Sequence, residues 1–399
     1  MEIRELQTPC YIIRAGEYEK NIAAFRTAFQ NAWGGSTVFG YSVKTNNLPW
    51  FLRRAMARGF LAEVVSPDEL AFALRCGCTM DRILYNGPQK RGTALDALRG
   101  GALVNVDNEA ELDLICAAFP GAGDRVRVGL RVNFDLEALC PGETTCEGVP
   151  GRFGFCLENG DLGRAVARLR DAGIALTGLH LHQSSRSRSL RIFEAVARTA
   201  AEIGREYRLE ALPCVDVGGG FFGGSFFPGK PSFPEYAQTV CAELRRFYDP
   251  AQTALVLEPG AAILATAMDY LTEILNVREV RGRRIATADG SLLHINPMMR
   301  PHPTPFTLLD GGPACEEEQI IGGSTCMELD RFWPRDLKNL AEPGSRFLFH
   351  ACGAYMSTHN SNFINAAPAV YLDEDGAFRL LRPKSIDALF AGEKENGLE

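Results

Sequence analysis

Short runs of β-branched and apolar residues alternate with longer amphipathic stretches from residue 37 to residue 260. The runs have the length and composition of buried strands, and between them apolar residues recur every three or four positions, as in helices. Strict alternation of strand and helix predicts a parallel sheet, and eight strands is the number that closes a (β/α)8 barrel, here over residues 15–265. The eight runs span 37–44, 60–66, 82–87, 102–107, 126–133, 176–183, 214–220 and 254–260.

The pattern changes after about residue 266, where strand-like pieces separated by turns replace the alternation. Two such pieces, 270–280 and 284–288, flank an Arg-Gly-Arg turn, which is typical of a hairpin. We therefore predict a mainly β domain over 266–399. Residues 1–14 contain one isolated strand-like run, and we assign that strand to the β domain.

Helical patterns separate the predicted strands, and two long loops interrupt them. An early helix precedes the first barrel strand, and later ones fit the crossovers of a parallel barrel. The Pro- and Gly-rich loops at 223–231 and 296–313 are long enough either to carry function or to be mobile surface loops. The predicted helices span 15–32, 67–76, 109–119, 162–172 and 190–207.

Composition narrows the classes of partner. The formal net charge is −7 and the pI about 5.6, without a Lys- or Arg-dense stripe, so we expect neither a nucleic-acid nor a membrane partner. The first residues lack the apolar stretch of a secretory signal, and we expect a cytoplasmic protein with a small-molecule substrate.

Twelve cysteines are present, and we expect thiols rather than disulfides in a long chain without a signal. Two close pairs, Cys76 with Cys78 and Cys140 with Cys146, have no second pair or nearby histidine that would complete a zinc spacing. No metal site is therefore predicted.

Chemically useful residues end the predicted strands. In α/β barrels the reactive groups lie at the carboxyl ends of the strands, so residues at these ends can be tested together for chemical sense. A lysine, a glycine triplet and a carboxylate at three ends are together typical of a cofactor site. In strand order the ends provide Lys44, Ser66, Asn86, Asp107, Arg131 with Asn133, His182, Gly218 to Gly220, and Glu258.

Three of these features have a chemical and a structural interpretation. Burial would favour the neutral, nucleophilic amine of Lys44, as Schiff-base formation requires, although a lysine at a strand end can also simply extend to solvent. The main chain of Gly218 to Gly220 can approach an anion closely, near the region where barrels often bind phosphate. Glu258 can keep a pyridine nitrogen protonated, or form a structural salt bridge.

Across nearly the whole chain, the motifs resemble those of the fold-type III pyridoxal-phosphate decarboxylases, which include diaminopimelate, ornithine and carboxynorspermidine decarboxylases. The pieces occur in the order typical of that family. They are Thr8-Pro9 with Tyr11, Tyr41-Ser42-Val43-Lys44-Thr45-Asn46, Glu63-Val64-Val65-Ser66, Leu130-Arg131-Val132-Asn133, Arg152-Phe153-Gly154, Gly178-Leu179-His180-Leu181-His182, Gly218-Gly219-Gly220 and Glu258-Pro259-Gly260.

The resemblance implies a role for each matching residue in the barrel. Lys44 would carry pyridoxal phosphate as a Schiff base, His182 would stack on the cofactor ring, and Glu258 would pair with the pyridine nitrogen. Ser185 and the glycine triplet Gly218, Gly219 and Gly220 would hold the phosphate. The implied reaction is decarboxylation of an amino acid.

The resemblance also implies a head-to-tail homodimer with shared active sites. Cys326, in Gly323-Ser324-Thr325-Cys326, would lie over the partner's cofactor and return a proton to the substrate carbon, a role that Lys44 can also fill. Asp330 and Tyr355 match family positions near the substrate and cofactor.

Departures from the family pattern affect the substrate more than the class of reaction. Where diaminopimelate and ornithine enzymes carry an acid for the distal amine, this chain has Met327. Ala261 replaces an arginine, and Phe363 replaces a tyrosine whose hydroxyl contacts the phosphate. Possible substitutes are Arg186, Arg188, Arg300 and His302.

Arg300 matches an arginine that binds a substrate carboxylate in diaminopimelate enzymes. We therefore expect an L-amino acid, or a conjugate of one, with a distal carboxylate or polar group. An amino-acid racemase shares the cofactor and barrel, and a non-catalytic regulatory homologue is a further alternative. Release of carbon dioxide would distinguish the decarboxylase from both.

Overall fold

The computed structural model describes residues 2–145, 149–222, 229–359 and 362–387. Cys146 and most of the loop predicted at 223–231 lie outside the described residues. The chain forms two compact units, one spanning Asn21–Ile263 and the other combining Met1–Lys20 with Leu264–Glu399.

The strands and helices follow the predicted order. In chain order the strands are β1 (Cys10–Arg14), β2 (Thr37–Ser42), β3 (Leu61–Val64), β4 (Ile83–Tyr85), β5 (Leu103–Val106), β6 (Gly123–Asn133), β7 (Phe155–Cys156), β8 (Ile174–His180), β9 (Cys214–Asp216), β10 (Ala254–Leu257), β11 (Met268–Val280), β12 (Arg283–Ala288), β13 (Phe306–Leu309), β14 (Gln319–Gly322), β15 (Arg331–Phe332), β16 (Arg346–Phe349), β17 (Ala369–Glu374) and β18 (Ala377–Arg382). The α-helices are α1 (Ala15–Trp33), α2 (Pro49–Ala57), α3 (Pro67–Arg75), α4 (Thr93–Arg99), α5 (Glu109–Ala118), α6 (Leu136–Leu139), α7 (Asp161–Asp171), α8 (Leu190–Tyr207), α9 (Phe233–Leu244) and α10 (Ala261–Leu264).

The Asn21–Ile263 unit is a closed parallel barrel. Its strands are ordered β5-β4-β3-β2-β10-β9-β8-β6, and pairing of β5 with β6 closes the ring. The predicted eight-stranded barrel is therefore confirmed. The short strand β7 extends β6 outside the ring.

Several barrel strands are shorter than the predicted runs. The run 214–220 is strand only over Cys214–Asp216, because Gly218 has φ of +70° and leaves extended geometry. Likewise, Lys44 does not close β2 but lies in a 3-10 turn, Val43–Thr45, that follows it. Both changes move the chemically useful residues off the strands and into the loops of the barrel mouth.

Local signals fix the ends of the barrel helices. Ser66 accepts a hydrogen bond from the Glu69 N–H and Pro67 occupies the first turn of α3, an N-terminal pattern with few unsatisfied donors. Helix α9 begins with a reciprocal capping box between Ser232 and Glu235. The Ser66 hydroxyl, a strand-end candidate in the sequence, is therefore used as a helix cap.

The second unit is mainly β, as predicted. Its main path is β15-β14-β12-β11-β1-β17-β18, with β16 and β13 joined at β11. Strand β1 lies antiparallel to β11 and parallel to β17, so the amino-terminal strand is part of this sheet. The turn between β11 and β12 has positive φ at Arg281 and Gly282, as a tight hairpin requires.

Two further observations concern the cysteines and the helices of the described residues. The eleven described cysteines are free thiols. Among the described residues, no helix has both the length and the apolar character needed to cross a membrane.

Candidate active site

Lys44 lies beside a buried carboxylate in the mouth of the barrel. Its Nζ is 2.5 Å from Glu63 Oε2, and the Glu63 side chain is fully buried while 34% of the Lys44 side chain is exposed. Glu63 belongs to β3, next to the strand that leads into Lys44. The amine is thus held at a fixed place by an acid and still faces accessible space.

A chain of amides connects this pair to Glu258. The Asn86 Nδ2 donates to Glu63 Oε1 at 3.0 Å and to Glu258 Oε1 at 2.5 Å. Asn105 in turn donates to Asn86 Oδ1 at 2.8 Å, which fixes the orientation of the Asn86 amide. Residues in, or directly after, five neighbouring strands therefore hold Lys44 and Glu258 in one buried hydrogen-bond network.

Glu258 lies close to Asp216 and His180, and ligand atoms of all three are within 4.8 Å of one another. Burial, and then the neighbouring Glu258 carboxylate, raise the pKa of Asp216 well above its ordinary range. Burial would also raise the pKa of Glu258, but interactions with His180 and Lys44 outweigh it and lower the pKa below its usual range. These opposite pKa shifts favour the proton on Asp216 and the negative charge on Glu258, since ionising two buried carboxylates this close together is costly.

His182 is a neutral imidazole with a defined tautomer. Its Nδ1 accepts a hydrogen bond of 3.0 Å from the Gly219 N–H, so the ring proton is on Nε2. Burial lowers the pKa of His182 to about 3, and the positive charges of Arg131 and Lys44 act in the same direction. The ring presents a flat, uncharged face near Lys44 and Glu258.

The glycine triplet has a packing role that the sequence did not indicate. A Cβ on Gly218 would lie 2.5 Å from His182 Cβ, and one on Gly219 would overlap the Glu258 carbonyl oxygen. The Gly218 N–H donates to Asp216 Oδ1 and the Gly219 N–H to His182, so two of the three amides are used within the protein. Among the described residues, the Gly220 N–H has no protein acceptor.

Of two other strand-end candidates, Arg131 lies in the barrel mouth and Asn133 has a structural role. Arg131 lies 3.7 Å from Asp107 and over the ring of Phe153 at 4.5 Å, facing the same mouth. Asn133 uses its amide to bind the carbonyls of Gly151 and Phe153, which is a structural role.

The Ser185 hydroxyl makes no hydrogen bond to another described residue. Ser185 follows His182 in the loop after β8 and pairs with Thr144 in an isolated antiparallel bridge. The residue is half-buried, so its hydroxyl is available to a partner outside the described residues.

The candidate residues of the second unit lie on an exposed loop and its support. Cys326 is exposed, while Asp330 is buried. Asp330 Oδ1 accepts from the Leu292 N–H at 2.7 Å, and Oδ2 accepts from the Thr325 N–H and hydroxyl at 3.0 and 2.7 Å. Both carboxylate oxygens of Asp330 are thus engaged in holding the loop that carries Cys326.

Arg300, Met327, Tyr355 and Phe363 are accessible in the same unit. Arg300 is exposed, and no acidic side chain of the described residues pairs with its guanidinium. Met327 is half-buried, whereas Tyr355 is 38% and Phe363 45% exposed. Tyr355 has φ of +69°, and its carbonyl accepts from the His359 ring at 2.8 Å.

The sequence did not assign roles to Glu63, His180, Asp216 or Asn105, although two of them lie within the motifs that it singled out and the other two lie within predicted strands. The available signal was polarity inside apolar strands, as in Leu61–Val64 and Cys214–Asp216. A buried acid in a barrel strand requires a partner, and this rule would have marked Glu63 and Asp216.

Residues 16–265 match the family described as "Pyridoxal-dependent decarboxylase, pyridoxal binding domain". A probable chloroplastic diaminopimelate decarboxylase of Oryza sativa subsp. japonica is 26% identical over 393 residues, covering 96% of this chain and 78% of the relative. The diaminopimelate decarboxylase of Deinococcus radiodurans is 28% identical, covering 94% and 92%. The crystal structure of diaminopimelate decarboxylase from Helicobacter pylori with L-lysine superposes with a TM-score of 0.80 at 21% identity, covering 97% of each chain.

Proposed function

The chain belongs to the pyridoxal-dependent decarboxylase family, and from that premise we propose that Lys44, Glu258 and His182 bind the cofactor and support decarboxylation of an L-amino acid with a distal acidic group. The protein is a pyridoxal-phosphate-dependent carboxy-lyase of the diaminopimelate decarboxylase type. The observation that carries the residue assignment is the network joining the Lys44 amine to the buried Glu258 carboxylate.

The barrel mouth fits pyridoxal phosphate. It provides an amine that is partly exposed, a buried anion for a protonated ring nitrogen, and a neutral imidazole face. The Gly220 N–H and the Ser185 hydroxyl, both without a described protein partner, suit a phosphate group. When bound, pyridoxal phosphate supplies an electron sink for the pair released as carbon dioxide leaves.

Lys44, Glu258 and His182 of the barrel would each have a separate role. Lys44 would form the covalent link to the cofactor and afterwards serve as a proton carrier at Nζ. Glu258, ionised beside a protonated Asp216, would hold a proton on the ring nitrogen. His182 would pack against the ring without adding a charge that opposes that proton.

We propose that Cys326 returns the proton to the substrate carbon of a neighbouring copy. Its exposure, and its place on a loop secured by Asp330, support a role at a surface shared by two copies. This assignment makes Asp330 a positioning residue for Cys326 rather than a substrate ligand. Tyr355 is proposed to contact cofactor and substrate, and the homodimer and the cytoplasmic location stay predictions.

The proposed substrate is an L-amino acid or amino-acid conjugate with a distal carboxylate. The Arg300 guanidinium is exposed and forms no ion pair with a described acidic side chain, which supports this class because arginine binds carboxylates in bidentate geometry. Met327 supplies no charge for a distal ammonium group. Diaminopimelate, the substrate named for the relatives, is the first compound to test because it carries a distal carboxylate.

The decisive experiment measures carbon dioxide release from diaminopimelate, lysine, ornithine, carboxynorspermidine and glutamate conjugates. We expect release from a compound with a distal carboxylate, and loss of both release and the visible cofactor band in Lys44→Ala. Arg300→Ala should raise KM for that compound at least tenfold, while Arg379→Ala, which removes an exposed arginine of β18, should not.

Other results would contradict specific parts of the proposal. Unchanged KM in Arg300→Ala would exclude the carboxylate contact. Exchange of the substrate α-proton without carbon dioxide release would favour the racemase alternative. A visible band that persists in Lys44→Ala would exclude Lys44 as the covalent attachment point.

A further inference from the structure

The loop that carries Ser185 is fastened to a second loop of the same unit. Residues 185–187 lie against residues 142–144, where Thr144 and Ser185 form an antiparallel bridge. The Arg186 N–H donates to the Glu143 carbonyl at 2.9 Å, and the Arg186 Nε donates to the Thr144 carbonyl at 3.0 Å. Ser185 itself contributes no side-chain hydrogen bond to this contact, so its hydroxyl is left for another partner.

Two carboxylates of the segment 137–144 organise the contact between the loops. Glu143 Oε2 accepts from the Ser187 N–H at 3.0 Å, and Glu143 Oε1 accepts from the Ser187 hydroxyl at 2.5 Å. Glu137 shapes the loop that carries Glu143, since it accepts from the Gly142 N–H at 2.5 Å and from the Thr144 hydroxyl at 2.6 Å. Glu143 thus holds the loop of Ser185 at Ser187, two residues further along the chain. The hydrogen bonds to Glu137 in turn hold the loop that carries Glu143.

Both carboxylates are ionised at neutral pH. The hydrogen bond from the Ser187 hydroxyl lowers the pKa of Glu143, and the bond from the Thr144 hydroxyl lowers the pKa of Glu137. Hydrogen bonds to an ionised acceptor are roughly twice as strong as neutral ones, so Glu143 is a firmer anchor for Ser187 than an amide would be.

We propose that Glu143 is a positioning residue that fixes residues 185–187 and thereby sets the affinity of the enzyme for the phosphate of its cofactor. The proposal rests on the proposed function, in which the Ser185 hydroxyl binds that phosphate. Glu143 touches neither ligand nor reacting atoms. It acts by restricting the main chain on which the hydroxyl is carried, so that binding need not order the loop.

The phosphate dependence provides a direct test. We would measure the dissociation constants of pyridoxal phosphate and of pyridoxal, which lacks the phosphate, for the full-length protein after removal of its cofactor. Glu143→Gln should raise the constant for pyridoxal phosphate about tenfold, which corresponds to roughly 1.4 kcal/mol. The constant for pyridoxal should stay within twofold of the wild-type value, because the ring and aldehyde contacts are untouched.

Two variants provide comparison. Ser187→Ala removes one of the two hydrogen bonds to Glu143 and should raise the dissociation constant of pyridoxal phosphate, but by less than Glu143→Gln does. Glu202→Gln removes an exposed carboxylate from α8 of the same unit and should change neither constant. Hydrogen exchange of the Ser187 amide should accelerate in Glu143→Gln, which reports the fastening of the loop without any ligand.

The outcomes separate this proposal from the one on which it rests. Equal weakening of both ligands by Glu143→Gln, or no weakening of either, would overturn the positioning role. If Ser185→Ala leaves the ratio of the two constants unchanged while Glu143→Gln raises it, the phosphate contact of Ser185 fails. In that case Glu143 still positions the loop through its main-chain donors.

Discussion

Gly218→Ala tests whether the glycine triplet is required for packing against His182 as well as for an open phosphate site. Gly218 has φ of +70°, and a Cβ there would lie 2.5 Å from His182 Cβ and 2.6 Å from Nδ1. Neither side can move easily, because the Gly219 N–H holds the imidazole and the Gly218 carbonyl accepts from the Glu258 N–H at 2.8 Å. The methyl group must therefore displace His182 or the loop.

The expected loss of stability in Gly218→Ala has two parts. A left-handed backbone costs a residue with a Cβ about 1–2 kcal/mol, and forcing a methyl group into a packed site costs typically about 1–3 kcal/mol. Gly59→Ala isolates the first part, since Gly59 has φ of +88° and a Cβ at that position would have no neighbour within 4 Å. With about 2–4 °C per kcal/mol for a unit of this size, Gly218→Ala should lower the melting temperature about 2–12 °C more than Gly59→Ala does.

The assay is thermal unfolding of both variants and the wild type without cofactor, followed by circular dichroism at one heating rate. Equal melting temperatures for the two variants would refute the packing argument and leave the triplet with the phosphate role alone. A melting temperature that falls further in Gly218→Ala than in Gly59→Ala, together with weaker binding of pyridoxal, would show that the displaced group is His182.

Three other predictions concern different parts of the network. Asn86→Leu should lower the free energy of unfolding by roughly 2–6 kcal/mol in urea titrations, because it removes one hydrogen-bond donor from each of two buried carboxylates, Glu63 and Glu258. A change below about 1 kcal/mol would contradict the network. Burial lowers the pKa of His182 to about 3 in the folded barrel, below the ordinary 6.5. Below pH 6.5 the unfolded chain therefore binds a proton that the folded barrel does not. The stability that the neutral imidazole contributes above pH 6.5 is lost as the pH falls toward 3. Urea titrations between pH 7 and 5 should show this loss, at most about 1.4 kcal/mol per pH unit, and His182→Gln should have a smaller pH slope than wild type. Asp330→Asn should accelerate hydrogen exchange of the Thr325 and Leu292 amides, because one of the two acceptor oxygens becomes a donor. It should also change the rate at which Cys326 reacts with a thiol reagent. The control Glu328→Gln, which alters a side chain that is 95% exposed on the same loop, should do neither.

The sequence determined the architecture because the barrel is encoded locally. Each strand is an apolar run of a few residues and each longer helix an amphipathic stretch, so helix α8 over Leu190–Tyr207 could be predicted to the residue. The rule that reactive groups lie at the carboxyl ends of barrel strands then selected Lys44, His182 and Glu258 as candidates without any knowledge of distances.

Only the tertiary structure decided what these residues do to one another. Glu63, Asp216 and Glu258 are separated by tens to hundreds of positions, and the pKa shifts of Asp216 and Glu258 depend on burial and on the charges that the closed barrel brings within a few ångströms. The same holds for the glycine triplet, whose contact with His182 joins two loops that have no local relation in sequence. Local patterns specify which elements form, whereas pKa values and close packing depend on neighbours that only the folded chain supplies.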